Sequence, residues 1–158
     1  EIAQCLVGSE MCIRDRNSMG KVQILAVLSM DGCHISELYC KAYKELHLDK
    51  CGINEIRKHA LYHITPDYSI SMLDEWRKDN TRICYLAEVT PEKADYINGL
   101  LRMRVVDEII LYTVPFIAGT GRHFFQSVLP ETQWILTSQK SYPNGVCRSI
   151  YTRMEATR

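Results

Sequence analysis

The segment from residue 105 to residue 125 constrains the fold more than any other part of the chain. Residues 109–114 carry no charge and are rich in β-branched and aromatic side chains, a composition typical of a strand buried on both faces of a sheet. Pro115 has no N–H for the ladder, so regular pairing should weaken there. Gly119 and Gly121 follow and let a ligand approach the backbone closely. A bare Gly-x-Gly is more often a simple turn, and that alternative stays open.

The remainder of the chain alternates between strand-like and helix-like segments. Helical periodicity runs through residues 37–60, where Gly52 can divide it into two helices. Further helix starts are predicted at Ser71 and at Thr90, the second helix running to about Arg104. Strands are predicted at residues 22–28, 61–64, 83–89 and 109–116, and a hairpin with an Asn-Gly turn joins residues 134–137 to 148–152. This order predicts an α/β fold with a mostly parallel sheet and an antiparallel edge.

Three segments together resemble a known fold family. Residues 105–125 contain Val-Asp-Glu, a proline, Gly-x-Gly-Arg and a phenylalanine; residues 21–32 read KVQILAVLSMDG; residues 134–151 are similar to a closing hairpin. These motifs resemble the dihydrofolate-reductase-like fold. The closer branch is the reductase domain at the C-terminal end of the bacterial riboflavin-biosynthesis deaminase/reductase, the RibD C-terminal domain. The resemblance implies an α/β three-layer sandwich with a mostly parallel central sheet and a C-terminal antiparallel hairpin.

The same resemblance implies a function. It suggests an NAD(P)H-dependent reductase that acts on a small heterocyclic or carbonyl-like substrate, uses NADPH as its cofactor and forms a homodimer. The alternative is a divergent, non-catalytic module of the same fold that binds a nucleotide or dimerises. That alternative arises because the family's Gly-Gly pair is absent from residues 88–94, where Glu88 and Glu92 would repel a phosphate.

Asp31 is the candidate catalytic residue. It follows the first strand, where ligands of open α/β sheets bind, and its carboxylate could accept hydrogen bonds from a polar substrate or order the nicotinamide end of the site. An ordinary Asp-Gly turn is the alternative. The candidate cofactor-binding residues are Gly119, Thr120, Gly121, Arg122 and Thr65. Backbone amides beside small residues can cradle a phosphate, and Arg122 can add a charge-assisted bond. For Thr65, an ordinary turn is the more frequent role.

The first residues differ in character from the rest. Residues 5–16, CLVGSEMCIRDR, resemble a translated sequencing adapter. Residues 1–18 are therefore predicted to be non-native or disordered, and residues 19–158 to form a single domain.

The composition limits the classes of binding partner that the chain can have. The chain has 19 basic and 19 acidic residues, with no basic face for nucleic acid and no apolar run approaching the ~20 residues of a membrane span. A small-molecule substrate is the expected partner. Scattered cysteines favour reduced thiols in a cytoplasmic protein. Possible zinc ligands cluster within nineteen residues, namely Cys33, His34, Cys40, His47 and Cys51. Without a Cys-x-x-Cys motif, no metal site is expected.

Overall fold

The structure is a computed structural model that describes residues 20–35, 41–79, 82–119, 121, 123–125 and 128–154. The strands in these ranges are β1 (Lys21–Leu28), β2 (Tyr62–His63), β3 (Cys84–Glu88), β4 (Glu108–Thr113), β5 (Trp134–Ser141) and β6 (Cys147–Arg153). The α-helices are α1 (Ile53–His59), α2 (Ile70–Lys78) and α3 (Ala94–Arg102), and two short 3₁₀ helices occupy Lys41–Leu46 and Leu48–Cys51. None of the helices described is long and apolar enough to cross a membrane.

All six strands form one sheet in the order β2-β3-β1-β4-β6-β5. The first four of these strands run parallel, and β6 pairs antiparallel with both β4 and β5. In the register at the centre, Ile24 of β1 lies opposite Ala87 of β3 and Ile109 of β4. The predicted parallel sheet with an antiparallel C-terminal hairpin is confirmed.

Helices cover both faces of the sheet, which makes the domain three layers thick. On one face Leu73 of α2 and Ile97 of α3 share an apolar cluster with Ile24. On the other face Ile53 of α1 belongs to a second cluster that contains Leu25. The three-layer prediction is therefore confirmed.

The central strand β4 is buried on both faces, as its composition predicts. Ile109 packs into the cluster under α2 and α3, while Ile110 and Tyr112 pack into the cluster under α1. The strand ends at Thr113, two residues before Pro115. The strand is shorter than the predicted range because the proline cannot continue the ladder.

The region predicted as a long helix with one break is broken twice. His47 and Gly52 both have left-handed backbone angles, with φ of 47° and 76°, and within residues 41–60 only the α1 segment beyond Gly52 is α-helical. The expected break at Gly52 is present, but the break at His47 was not foreseen. Residues 36–40 lie outside the described part of the chain.

Both later helix starts differ from the prediction. The cap of α2 is Ser69, whose Oγ accepts a hydrogen bond from the N–H of Met72 at 3.2 Å, so Ser71 is already inside the helix. The start predicted at Thr90 is also wrong. Thr90 accepts a turn hydrogen bond from Lys93 at 3.1 Å, and α3 begins only after that turn and ends at Arg102.

Two carboxylates organise the amino edge of the sheet, where the parallel strands begin. Asp107 accepts hydrogen bonds from Arg77 Nη1 at 2.8 Å and from the N–H of Val22 at 2.9 Å. Glu108 pairs with Lys21 Nζ at 2.8 Å. Burial raises the pKa of Asp107, although the N–H of Val22 and the charge of Arg77 act in the opposite direction.

The hairpin turn packs against the end of β4. Gly145 has a φ of 89° and its N–H donates to the carbonyl of Tyr142 at 3.0 Å. A Cβ on Gly145 would lie 3.0 Å from Pro115 Cγ. The Asn-Gly turn is thus confirmed, and its second residue must be small as well as left-handed.

An aromatic row, defined here as Tyr62, Tyr85, Trp76 and Tyr68, links β2 and β3 to α2. Tyr62 stacks on Tyr85 at 5.5 Å between ring centroids, and Tyr85 stacks on Trp76 at 5.9 Å. Tyr68 meets Trp76 edge-on at 5.8 Å. The row ties the short edge strand β2 to the body of the domain.

Candidate functional site at the carboxyl edge of the sheet

The carboxyl ends of β1, β2, β3 and β4 lie at one edge because these strands are parallel. Asp31 follows β1, Thr65 follows β2, Glu88 ends β3, and Gly119 lies beyond β4. This is the edge at which ligands of open α/β sheets bind. The described candidate residues therefore belong to one side of the molecule.

Asp31 ties the loop after β1 to the loop after β4. Its Oδ1 accepts a hydrogen bond from the N–H of Ala118 at 3.0 Å, and its Oδ2 accepts one from the N–H of Gly119 at 3.0 Å. The Ser29 hydroxyl donates to the same carboxylate. We call this arrangement the Asp31 tether. A backbone bond from Met30 to Phe116 at 2.9 Å runs beside it.

The tether keeps Asp31 ionised. The Ser29 hydroxyl and then the amides of Ala118 and Gly119 hold the pKa of Asp31 well below its ordinary value, because each donor stabilises the charged form. At neutral pH this carboxylate accepts hydrogen bonds and has no proton to give. It is therefore unsuited to act as a general acid.

The Gly-x-Gly loop is only partly as expected. The space beside Gly119 is open, with no described atom within 4 Å of where a Cβ would lie, and φ there is 74°. Its N–H, however, donates to Asp31 rather than pointing outward. At Gly121, where φ is 138°, an added Cβ would lie 3.7 Å from the Cβ of Cys33. Thr120 and Arg122 lie outside the described residues, so their role as cofactor ligands stays a prediction.

The far end of this loop is anchored to its surroundings. His123 bridges to Cys33 in an isolated antiparallel pair, and the N–H of Phe124 donates to the carbonyl of Gly32 at 3.1 Å. Asn98 of α3 donates to the carbonyl of Phe124 at 3.0 Å. The loop is thus held at both ends, by the tether and by this second anchor.

Apolar side chains are exposed on either side of the tether. Met30 is 64% exposed and Ile117 is 67% exposed, and each is the immediate neighbour of a tether residue. Exposed apolar side chains beside fixed polar groups are typical of small-molecule sites. This part of the edge offers contact surface to a flat or apolar ligand.

The turn after β3 has a different electrostatic character from the one expected. Arg57 of α1 donates through Nε to Glu88 Oε1 at 3.0 Å, and its charge offsets that of the carboxylate. The expected repulsion of a phosphate by Glu88 is therefore much reduced. The backbone still lacks a glycine, and the N–H of Val89 is already bonded to the carbonyl of Leu25 at 2.8 Å.

Thr65 lies in an ordinary turn. Its carbonyl accepts from the N–H of Tyr68 at 3.1 Å, and its hydroxyl donates weakly to Asp67 at 3.5 Å. Nothing in this geometry depends on a cofactor, and the cofactor role of Thr65 stays a prediction.

The cysteines and histidines in the described part of the chain do not form a metal-binding cluster. Within the described ranges no three His, Cys, Asp or Glu side chains lie close enough to hold a metal, and the four cysteines there are free thiols. His47 and Cys51 do not share one regular helix face, because His47 occupies the left-handed break between the two 3₁₀ helices. Cys40 lies outside the described residues.

Two arginines were missed by the sequence reasoning. No neighbouring residue of Arg57 indicated its role, since an arginine in a helix is common. Arg148 did give a local signal: apolar Val146, just before β6, and apolar Ile150 each lie two residues from it, so strand alternation places its side chain inward with theirs. It is buried, with only 6% exposed.

Comparisons with known proteins agree with this architecture. The model of the RibD C-terminal domain family matches residues 94–148, from α3 into β6. RibD of Acinetobacter baumannii superposes with a TM-score of 0.58 at 11% identity, over 88% of this chain and 59% of that one. The riboflavin biosynthesis reductase Rib7 of Saccharomyces cerevisiae gives 0.54 at 12% identity, over 87% and 90%. No curated protein sequence matches the chain.

A third solved structure is matched over nearly all of its own chain. A riboflavin biosynthesis protein of Shewanella sp. PV-4 superposes with a TM-score of 0.51 at 10% identity, over 85% of this chain and 99% of that one. The chain therefore has the dihydrofolate-reductase-like fold in the form found in riboflavin-biosynthesis reductases. At these identities the likeness defines the fold and not the reaction.

Proposed function

We propose that this protein is an NAD(P)H-dependent reductase that acts on a small heterocyclic or carbonyl-like substrate. The observation that carries the proposal is the Asp31 tether, which joins the loops after β1 and β4 at the ligand-binding edge of a reductase-type fold. Two loops held together beside exposed Met30 and Ile117 form a fixed surface for a flat ring.

The residues present fit the cofactor on one side of the edge. The open space beside Gly119 lets a ligand approach the main chain, and Thr120, Gly121 and Arg122 complete the proposed phosphate-binding loop. The turn after β3 fits less well, because Val89 and Thr90 carry side chains where bare backbone would suit a pyrophosphate. NADPH, when bound, supplies the hydride.

Asp31 serves in this proposal as a positioning residue. Its low pKa and its hydrogen-bond donors keep the carboxylate charged and directed at the loop. It would hold Ala118 and Gly119 in place for cofactor and substrate rather than transfer a proton itself. The proton that accompanies hydride transfer must then come from another group or from water.

NADPH titration tests the proposal. A ligand at about 100 times its dissociation constant adds ~2.7 kcal/mol of stability, so a clear rise in Tm is expected at saturation, together with loss of nicotinamide absorbance when a substrate is added. Gly121→Val should weaken binding because it places a branched side chain next to Cys33. Gly99→Ala is the control, since its new methyl group would face Ile70 of α2 and not the loop. An unchanged Tm at millimolar NADPH would refute the proposal.

The alternative, a non-catalytic module that binds a nucleotide or dimerises, is favoured by one observation. The amides of Ala118 and Gly119 already have Asp31 as their acceptor, and the β3 turn has no glycine to replace them. Binding of NADPH without turnover of any pyrimidine, pterin or ketone substrate would support a binding module. Binding with turnover would support the reductase.

We also propose a homodimer, on the family likeness. The edge strand β5 leaves Ile135 and Leu136 about half exposed, which is the kind of apolar surface that a second copy can cover. Light scattering coupled to gel filtration measures the mass directly. Ile135→Lys should shift a dimer towards monomer, and a wild-type protein that is monomeric at high concentration would contradict the proposal.

A further inference from the structure

Arg148 is a buried cation on the α1 face of the sheet. It lies opposite Tyr112 in the pairing of β4 with β6, and only 6% of it is exposed. The 3₁₀ helix Leu48–Cys51 lies above this position, since Tyr112 donates through its hydroxyl to the carbonyl of Cys51 at 2.7 Å. The guanidinium thus lies between the sheet and the turn that leads into α1.

The charge of Arg148 is incompletely satisfied. Its Nε has no hydrogen-bond partner among the described residues, and none of the ion pairs in the described part of the chain involves it. Arginine does not lose its proton in a protein, so its burial is unfavourable unless an anion accompanies it. The guanidinium does act on nearby phenols: burial raises the pKa of Tyr142, and the charge of Arg148 opposes that rise.

A position next to the guanidinium is unfilled because residue 52 is a glycine. It lies where a Cβ on Gly52 would be, with Arg148 Nη1 at 3.5 Å, the Tyr142 hydroxyl at 3.7 Å and Glu55 Oε2 at 4.0 Å as its three nearest neighbours. Gly52 and Tyr142 are half-buried and Glu55 is exposed. Lys140 Nζ lies over the Tyr142 ring, 5.2 Å from its centroid, and adds a second positive charge at the rim.

We propose that Arg148, Tyr142 and Lys140 form a binding subsite for the anionic group, phosphate or carboxylate, of a small molecule. The guanidinium has N–H donors that suit an oxyanion, the Tyr142 hydroxyl can add another, and Gly52 puts no side chain between these two groups. The subsite is separate from the Asp31 tether and does not depend on the reductase proposal.

Glu55 is the internal competitor for this place. Its carboxylate lies near enough to swing towards Arg148, yet it is exposed on the first turn of α1. Its charge opposes an incoming anion, so removal of that charge should strengthen anion binding. If Glu55 is instead the intended partner of Arg148, its removal should destabilise the domain and leave anion binding unchanged.

The test is titration of the full chain with inorganic phosphate, and separately with acetate, followed by amide chemical shifts. Saturable shifts at Gly52, Tyr142 and Arg148 are expected. Tighter binding of phosphate would favour a phosphorylated ligand, and tighter binding of acetate a carboxylate ligand. Arg148→Met should weaken binding at least about tenfold, and Tyr142→Phe and Lys140→Gln about threefold each.

Two further variants keep the result decisive even if Arg148→Met does not fold. Glu55→Gln should tighten binding, whereas Lys58→Gln, an exposed lysine of α1 with the same charge change as Lys140→Gln, should leave it unchanged. Failure of both anions to saturate would overturn the subsite. Equal losses in the Lys140 and Lys58 variants would overturn it too, since they would show only a general charge effect.

Discussion

Asp107 and Glu108 at the amino edge of the parallel sheet have a different kind of partner from Asp31 at the carboxyl edge. At the amino edge, Asp107 and Glu108 have cationic partners, Arg77 and Lys21, at 2.8 Å. At the carboxyl edge, the donors to Asp31 are uncharged: a hydroxyl, two backbone amides and, at 3.8 Å, the Cys33 thiol. The first arrangement joins strands and a helix to one another, and the second holds a loop. The difference separates residues that maintain the fold from residues that shape a site.

The largest expected effect is at the amino edge. Asp107→Ala should lower the free energy of unfolding by about 3 kcal/mol, because it removes the acceptor of the Val22 N–H and of Nη1 in the partly buried Arg77 guanidinium. Urea unfolding measures the loss. Asp74→Ala is the matched control, since Asp74 also pairs with Arg77 but from a more exposed position, and should cost under about 1 kcal/mol. Equal losses would remove the distinction between the network and an ordinary surface pair.

At the carboxyl edge the backbone should matter more than charge. Gly145→Ala should cost about 2 kcal/mol, because a left-handed residue would gain a Cβ in contact with Pro115. Gly119→Ala should cost about 1 kcal/mol, since its φ is also left-handed but the space beside it is open. Thermal unfolding of the two variants compares them. A larger loss at Gly119 would contradict the open space described there.

The tether should affect local order more than stability. Asp31→Asn should speed hydrogen exchange at Ala118 and Gly119 about tenfold, because one carboxylate oxygen becomes an amide nitrogen that cannot accept. Exchange in β4 should stay unchanged. Asp107→Asn should instead speed exchange across the whole sheet. Unaltered exchange of both loop amides in the Asp31 variant would show that the tether does not hold the loop.

The smallest expected effect is the difference between the pKa values of Asp107 and Asp31. The pKa of Asp107 is raised above its ordinary value of 3.8 and that of Asp31 is lowered below it. As pH falls, Asp107 should therefore take up its proton first, which relieves the penalty of its buried charge. The stability contributed by Asp31 is fully present above its unfolded-state pKa and is lost progressively as pH falls from there through the folded-state value. Carboxyl chemical shifts during an acid titration give both midpoints, and the reverse order would contradict the comparison.

Local patterns were enough for much of the fold. The uncharged run of β4 and the Asn-Gly turn each depend on neighbouring residues alone, and both are confirmed. The cap of α2 was misplaced because Ser69 and Ser71 have the same chemistry. The choice follows from tertiary packing: Ile70 contacts the apolar cluster under α2 and α3, so the helix must begin there.

The site was less accessible to sequence reasoning because its contacts are distant along the chain. Asp31 could be placed at the right edge from its position after β1, but its acceptor role depends on amides 87 and 88 residues away. The pairing of Arg57 with Glu88 likewise joins two elements whose approach only the fold determines. The sequence identified Asp31 as a carboxylate near the site, but only the tertiary structure shows which backbone amides donate to it.

The aromatic row of Tyr62, Tyr85, Trp76 and Tyr68 has a spectroscopic consequence. Trp76 contacts two tyrosine rings with centroids within 6 Å, so light absorbed by those tyrosines should be emitted largely by this indole. Trp134 lies on the opposite edge strand and provides a second emitter. A Trp134→Phe protein would therefore carry a native optical reporter of the β2–α2 edge, in which separation of the row appears as recovered tyrosine emission.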